Sequence, residues 1–287
     1  MDCNRIMDNC AKKIENGRVA EPYTDENGIK RCPVCNEPVE FMLPDICGKF
    51  GGVRPQKCRC QIEKEETERA RLAAVERERK AAELRKRAFA HPREWESTFD
   101  KADNSEGIEI AHWYVDDWDK LKANGAGLLI IGNVGTGKTF TALCIANALV
   151  DKLVEVRYIT TSYFVSKITS NSTTDKNACI EEYANSDLLI IDDLGAEFES
   201  AYTMQYISQL INECYANNTP FIITTNMSLE QFNAPKTEQH KRIYDRILGR
   251  TIRVAITGES RRKAEGEHNL EHSRALFAEW KKRQVIK

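Results

Sequence analysis

Gly132-Asn-Val-Gly-Thr-Gly-Lys138-Thr139 stands directly after the apolar run Leu128-Leu-Ile-Ile131 and directly before a helical pattern from Phe140 to Val150. This is G-x-x-x-x-G-K-[ST] in the setting it requires: buried strand, glycine-rich turn, helix. Glycines let successive backbone N–H groups face one concavity, and the helix that follows adds its positive end. Gly132, Asn133, Val134, Gly135, Thr136 and Gly137 are thus expected to cradle the phosphates of a nucleoside triphosphate. Lys138 can reach the β- and γ-phosphates, and the Thr139 hydroxyl can hold Mg²⁺. A second apolar run, Leu188-Leu-Ile-Ile191, ends in Asp192-Asp193-Leu194-Gly195. Such a run reads as a buried parallel strand, and ligands gather beyond the carboxyl ends of such strands. Asp192 is placed to hold the Mg²⁺ through its carboxylate, and Asp193 to polarise an attacking water. A third run, Phe221-Ile-Ile-Thr-Thr225, ends in Asn226, whose amide can address the γ-phosphate or that water.

The elements that must position these residues alternate. Strands are expected at Leu128–Ile131, Val156–Thr160, Leu188–Ile191, Phe221–Thr225 and Thr251–Ile256, with helical patterns between them. That alternation argues for a parallel sheet covered on both faces. Ala111 to Leu121 reads as one amphipathic helix whose Trp113, Tyr114 and Trp118 belong to the core. Three parts follow along the chain: a cysteine-rich module over residues 1–60, a charged helical linker over 61–92 and an ATPase domain over 93–287. The linker is dominated by Glu, Arg, Lys and Ala, which favour helix and supply many opposite charges four residues apart.

Composition excludes several classes. The net charge of −2 supplies no global attraction to nucleic acid, so any such contact must be local. No run of 18 apolar residues exists, and Met-Asp-Cys-Asn-Arg begins no signal-peptide core, so a cytoplasmic protein without membrane contact is expected. Of ten cysteines, seven lie in the first 60 residues and five of those between Cys32 and Cys60. In an intracellular protein that clustering favours a metal over disulfides. Cys32-Pro-Val-Cys35 and Cys58-Arg-Cys60 offer two local pairs of thiolates, a set suited to tetrahedral Zn²⁺, with Cys47 as an alternative fourth ligand. Metal would supply the folding free energy that so small a module lacks. Cys144, Cys179 and Cys214 are isolated and read as small core residues.

Lys236 to Lys263 is strongly basic, and Arg242 and Arg246 share a helix face. One of them can present a charge to a neighbouring subunit's γ-phosphate; a solvated basic helix accounts for the same residues.

Together these motifs resemble the DnaC/DnaI-type replicative helicase loaders and the related IstB-like ATPases of the AAA+ superfamily. The resemblance covers roughly residues 93–263. It rests on the phosphate loop, Leu-Leu-Ile-Ile-Asp-Asp-Leu-Gly-Ala-Glu197, Ile-Thr-Thr-Asn226, Arg-Ile-Tyr-Asp-Arg246-Ile and Gly258-Glu-Ser-Arg-Arg262. It implies a five-stranded AAA+ P-loop sheet in which the Asn226 strand lies between those of the phosphate loop and Asp192. It implies ATP, Mg²⁺ and Zn²⁺ as cofactors, Asn226 as the polar sensor of the γ-phosphate and Arg246 as the arginine finger, with Arg242 second. Arg261 or Arg262 can approach the nucleotide. Tyr163, Phe164 and Lys167, in the segment from Thr161 to Ala184, are implied contacts to single-stranded DNA. Many members carry Glu where this chain has Asp193, which implies slow hydrolysis of ATP to ADP and phosphate, below about 10 s⁻¹. The implied function is loading of a hexameric DnaB-type replicative helicase onto single-stranded DNA, with self-association in the ATP-bound state and helicase docking through the zinc module. Two alternatives are a transposition helper ATPase acting on duplex DNA and a zinc-stabilised nucleic-acid adaptor with a vestigial ATPase fold.

Overall fold

The computed structural model of the chain describes residues 21–44, 51–103, 105–169, 175–195, 201–258 and 260, together with 270, 273–274, 276–277 and 280–281. Cys47, Glu197, Arg261 and Arg262 lie outside the described residues. Two compact units make up the chain, one ending at Glu78 and one beginning at Arg79.

The first unit is built of two antiparallel hairpins, β1 (Tyr23–Thr24) with β2 (Lys30–Arg31) and β3 (Glu40–Leu43) with β4 (Gly52–Pro55). Helix α1, Arg59–Ala88, follows and runs on into the second unit. Among the described residues of the first unit, the only buried apolar side chains are Cys32 and Cys58. Hydrophobic burial therefore contributes little to its stability. Helix α1 is polar all round, and only Ala88, at its far end, is buried. Its helicity comes from propensity and from exposed pairs such as Arg79–Glu83 at 3.3 Å and Arg71–Glu68 at 2.7 Å, each worth a few tenths of a kcal/mol.

In the second unit, 3₁₀ turns at Pro92–Glu96 and Phe99–Lys101 precede α2 (Glu106–Asp116) and α3 (Trp118–Ala123). The expected single helix from Ala111 to Leu121 is thus two. They part at Asp117, which leaves helical geometry, and its carboxylate accepts from Lys120 Nζ at 2.5 Å. Tyr114 and Trp118 are buried, as a core role requires, whereas Trp113 is 40% exposed. The remaining elements are β5 (Gly127–Ile131), α4 (Lys138–Asp151), β6 (Val156–Thr160), α5 (Thr161–Thr169), α6 (Lys176–Ala184), β7 (Leu188–Leu194), α7 (Ala201–Ala216), β8 (Phe221–Thr225), α8 (Leu229–Asn233), α9 (Glu238–Arg250) and β9 (Thr251–Ala255).

Five strands form one parallel sheet in the order β6-β7-β8-β5-β9. The Asn226 strand lies between those of the phosphate loop and Asp192, as the resemblance implied. Alternate residues feed two cores. Leu129, Ile191 and Ile223 pack with Phe164, Ile207 and Ile243 on one face, while Leu128, Ile130, Ile190 and Ile222 pack with Tyr114, Ile145 and Leu149 on the other. Strand β7 reaches Leu194, beyond the expected end at Ile191, because its pairing with β8 resumes at Leu194 after an irregularity. Asp192 and Asp193 fall in that break. Bulges of this kind re-aim side chains and recur beside functional sites.

Ile190, wholly buried in a central strand, gives the first prediction. Ile190→Ala is expected to cost about 2–5 kcal/mol, read as a lowered urea midpoint. Ile252→Ala, 43% exposed on the edge strand, should stay within about 0.5 kcal/mol.

Candidate functional site

Two clusters of chemistry-bearing residues emerge, one in each unit. The first lies where β5, β7 and β8 end. A cavity of about 630 Å³ opens there, with Gly135, Gly137, Lys138, Thr139, Asp192, Asp193 and Asn226 in its wall. Where the loop between β5 and α4 leaves the sheet it is held from both sides by backbone bonds, Gly132 N to Thr225 O at 3.3 Å and Ile256 N to Ile131 O at 2.7 Å. A side chain at Gly132 would run into the backbone oxygen of Ile256. Gly137 sits at φ 101° and starts α4 without any side-chain cap. The first N–H groups of that helix therefore point outward with no partner from their own turn, which is the anion-binding end of a helix. Thr136 closes the loop by donating to Asn133 O at 3.0 Å, and Val134 is exposed at the tip.

Lys138 is 7% exposed. Its ammonium donates to Asn133 O at 2.8 Å and to Asn226 Oδ1 at 2.7 Å. The loop lysine and the tip of β8 are thus in direct contact. Asn226 Nδ2 in turn donates to Asp193 Oδ1 at 3.1 Å. Asp193 is exposed and takes φ 56°, a left-handed conformation that costs a non-glycine residue on the order of 1 kcal/mol. Its N–H is held by Thr224 Oγ1 at 2.9 Å, and the bend turns its carboxylate toward Asn226.

Asp192 is 4% exposed and accepts from three hydroxyls. Thr139 Oγ1 lies 3.0 and 3.2 Å from its two oxygens, Thr224 Oγ1 is 2.5 Å from Oδ1, and Tyr158 Oη is 2.8 Å from Oδ2. A hydroxyl that gives its proton to a carboxylate keeps its oxygen lone pairs for a cation. Thr139 and Asp192 therefore form a hard oxygen pair that fits Mg²⁺, which prefers one or two protein oxygens plus phosphate and water. Burial, and after it the Asp192 charge, push the Tyr158 phenol well above the ordinary tyrosine range, so it acts as a donor.

Sequence reading missed Tyr158, Thr224 and the far end of the cavity, where Ser97 and Lys101 complete the wall. A threonine and a tyrosine interrupting apolar strands were the available signals. One expectation parts from the structure, that of Phe164 as a base-stacking residue. Phe164 is fully buried, edge-on to Tyr183 with ring centres 5.6 Å apart, so it has no face to offer a base. Lys167 donates to Tyr183 Oη at 3.0 Å, whereas Tyr163 is 47% exposed. Arg246 is not part of the cavity wall. It bonds Asn212 Oδ1 on α7 and lies over the Tyr215 ring at 5.9 Å, with Arg242 exposed one turn earlier. Cys144, Cys179 and Cys214 are buried, and burial pushes the Cys144 and Cys214 thiols up to about 12, leaving them inert in the core.

The second cluster is sulfur. The Sγ atoms of Cys32, Cys35, Cys58 and Cys60 lie within 4.8 Å of one another. Cys32 to Cys60 is 3.4 Å and Cys58 to Cys60 is 3.3 Å. These separations exceed a disulfide bond of about 2.05 Å. They approach the edge, about 3.8 Å, of a tetrahedron with Zn–S bonds of about 2.3 Å. Cys32 opens a tight turn, with Asn36 N bonded to Cys32 O at 2.9 Å and Asn36 at φ 59°. Cys58 and Cys60 sit at the start of α1, where Cys58 O accepts from Gln61 N and Ile62 N, both at 3.1 Å. Burial, and in Cys60 the neighbouring thiols as well, push the Cys58 and Cys60 groups up, so without a cation they hold their protons. Burial raises the Cys32 thiol, but the N–H groups of Cys35 and Val34, with the Cys60 and Cys58 thiols, outweigh it and bring the group down from 9.0 to about 7. Four soft donors in this arrangement fit Zn²⁺ in a closed structural site.

Glycine-rich loop, buried lysine and carboxylate-tipped neighbour strand on a sheet of this order define a P-loop nucleotide-binding protein of the AAA+ class. A solved DnaI crystal structure has the same fold, with a TM-score of 0.51 at 23% identity over 61% of this chain and 95% of that one. The family model for IstB-like ATP binding protein matches residues 60–268, and the chain belongs to that family. ATP and Mg²⁺ are the ligands this membership implies. Among curated relatives, the replicative helicase loader DnaC of Escherichia coli (strain K12) is 28% identical over 204 residues, 67% of this chain and 81% of its own. The replicative helicase loader DnaI of Bacillus subtilis (strain 168) is 23% identical over 246 residues, 79% of this chain and 75% of its own. Among the described residues, no helix is long and apolar enough to cross a membrane.

The sulfur cluster yields a prediction. Because the described residues of the first unit bury almost nothing else, removing any bound metal with a chelator, or Cys32→Ser, is expected to abolish slow amide exchange across residues 21–44 and 51–57. Exchange in β5, β7 and β8 should not change. Retained protection in the first unit after chelation would show that the four sulfurs are not its folding centre.

Proposed function

We propose that this protein is an ATP-driven loader of a hexameric replicative helicase, delivering it onto single-stranded DNA at the start of replication. The single observation that carries the reading is the joining of an intact P-loop site to a separate four-cysteine unit, in a chain whose relatives include two replicative helicase loaders. In this reading residues 1–60 dock the helicase with Zn²⁺ on Cys32, Cys35, Cys58 and Cys60. Residues 61–92 form the tether and 93–287 the ATPase. Residues Gly132 to Thr139 receive the phosphates, and Thr139 with Asp192 holds Mg²⁺. Asp193 orients the water, with Asn226 reporting the γ-phosphate through its bond to Lys138.

Arg246 is proposed as the arginine finger. Its position outside the cavity suits a group that acts on the next subunit of an ATP-bound assembly. Hydrolysis to ADP and phosphate is slow in this reading, because the left-handed, short Asp193 holds water less firmly than a longer acid would. ATP then serves chiefly as a conformational switch.

Native mass spectrometry with the cognate helicase tests the proposal. The full chain with ATP is expected to give a loader–helicase complex, and a chain beginning at Arg79 none. A complex that survives the truncation would remove the docking role. ATP-dependent filaments on duplex DNA, with no helicase binding, would point instead to a transposition helper.

A further inference from the structure

The carboxylate of Asp192 is bracketed from both neighbouring strands. Thr224, on β8, binds Oδ1, and Tyr158, on β6, binds Oδ2. Tyr158 pairs in register with Ile190, two residues before Asp192, so its side chain lies on the same face and its hydroxyl reaches diagonally to the carboxylate. The ring has little freedom: it is 7% exposed and packs against Phe89 with ring centres 6.2 Å apart. We propose that Tyr158 is a positioning residue for magnesium binding, its core-anchored hydroxyl fixing the plane of the Asp192 carboxylate.

The physical reason lies in what Asp192 must do at once. It has to accept the Thr139 proton, so that the threonine oxygen faces the cation, and to present its remaining lone pairs to the cation's own shell. Rotation of a carboxylate about its last torsion is soft. Thr224 holds one oxygen and Thr139 is shared between the two, so only Tyr158 gives Oδ2 a donor of its own and closes that rotation. Outer partners of this kind typically change metal affinity by about 10–100-fold. A tyrosine suits the task because its hydroxyl is held by a rigid ring rather than by a flexible chain. No shorter hydroxyl at position 158 spans the diagonal.

The inference rests on the assignment of Asp192 to magnesium, and the test separates the two. Binding of a methylanthraniloyl-labelled ATP to the full chain is followed by fluorescence as Mg²⁺ is titrated, and again with EDTA present. Tyr158→Phe is expected to raise the half-saturating Mg²⁺ concentration about tenfold, with magnesium-free binding changed less than about twofold. A folded Tyr158→Phe protein with the native Mg²⁺ midpoint overturns the proposal, since a purely packing role would lower thermal stability alone. Should that variant not fold, replacing Tyr158 by p-aminophenylalanine keeps ring and hydrogen bond with a weaker donor. A raised midpoint then supports the proposal, and a native one overturns it. Asp192→Asn is the control: if it leaves the midpoint unmoved, the magnesium assignment itself fails. If it shifts while Tyr158→Phe does not, only the role of Tyr158 falls.

Discussion

An uncapped helix end is the constraint on which the second unit is organised. Gly137, at φ 101°, starts α4 with no side chain bonded to its first amides. In a buried helix such groups would be a liability of about 1–3 kcal/mol each; at a cavity they are a site for an anion. The sheet order brings everything else to that point. With β8 between β5 and β7, Asn226 contacts Lys138, and Thr224 contacts Asp192, across neighbouring strand ends. The lysine is held beside the loop by Asn133 and Asn226, which limits the rotamers open to its long side chain.

The two units solve the stability problem differently. The second fills both faces of its sheet with aliphatic and aromatic side chains. The first buries two of its four clustered cysteines and, among its described residues, no other apolar side chain. Its hairpins and the first turn of α1 converge on sulfur, so a metal held there would take the place of a core. Helix α1 needs no core either, since its charges and propensities suit it to solvent.

Elements with strong local signals were legible in the sequence. All five strands were placed within three residues of their observed ends, because short runs rich in apolar and β-branched residues, set between helical patterns, favour strand. The phosphate loop and its neighbouring strand tips were legible for the same reason: motif and flanks agree. What escaped was set by tertiary contact. Whether β7 stopped at Ile191 or continued through a break depended on its pairing with β8. Phe164 resembled an exposed stacking residue until α5 packed it against Tyr183. Tyr158 looked like any aromatic in a strand, because its partner lies 34 positions away.

If α4, Lys138 and the Thr139–Asp192 pair form an ATP site, isothermal calorimetry of ATP with Mg²⁺ will distinguish the intact protein from Lys138→Ala. One ATP is expected to bind per chain, with a loss of at least about tenfold in affinity, about 1.4 kcal/mol, when the ammonium is removed. Equal heats for both proteins, or none for either, would contradict it.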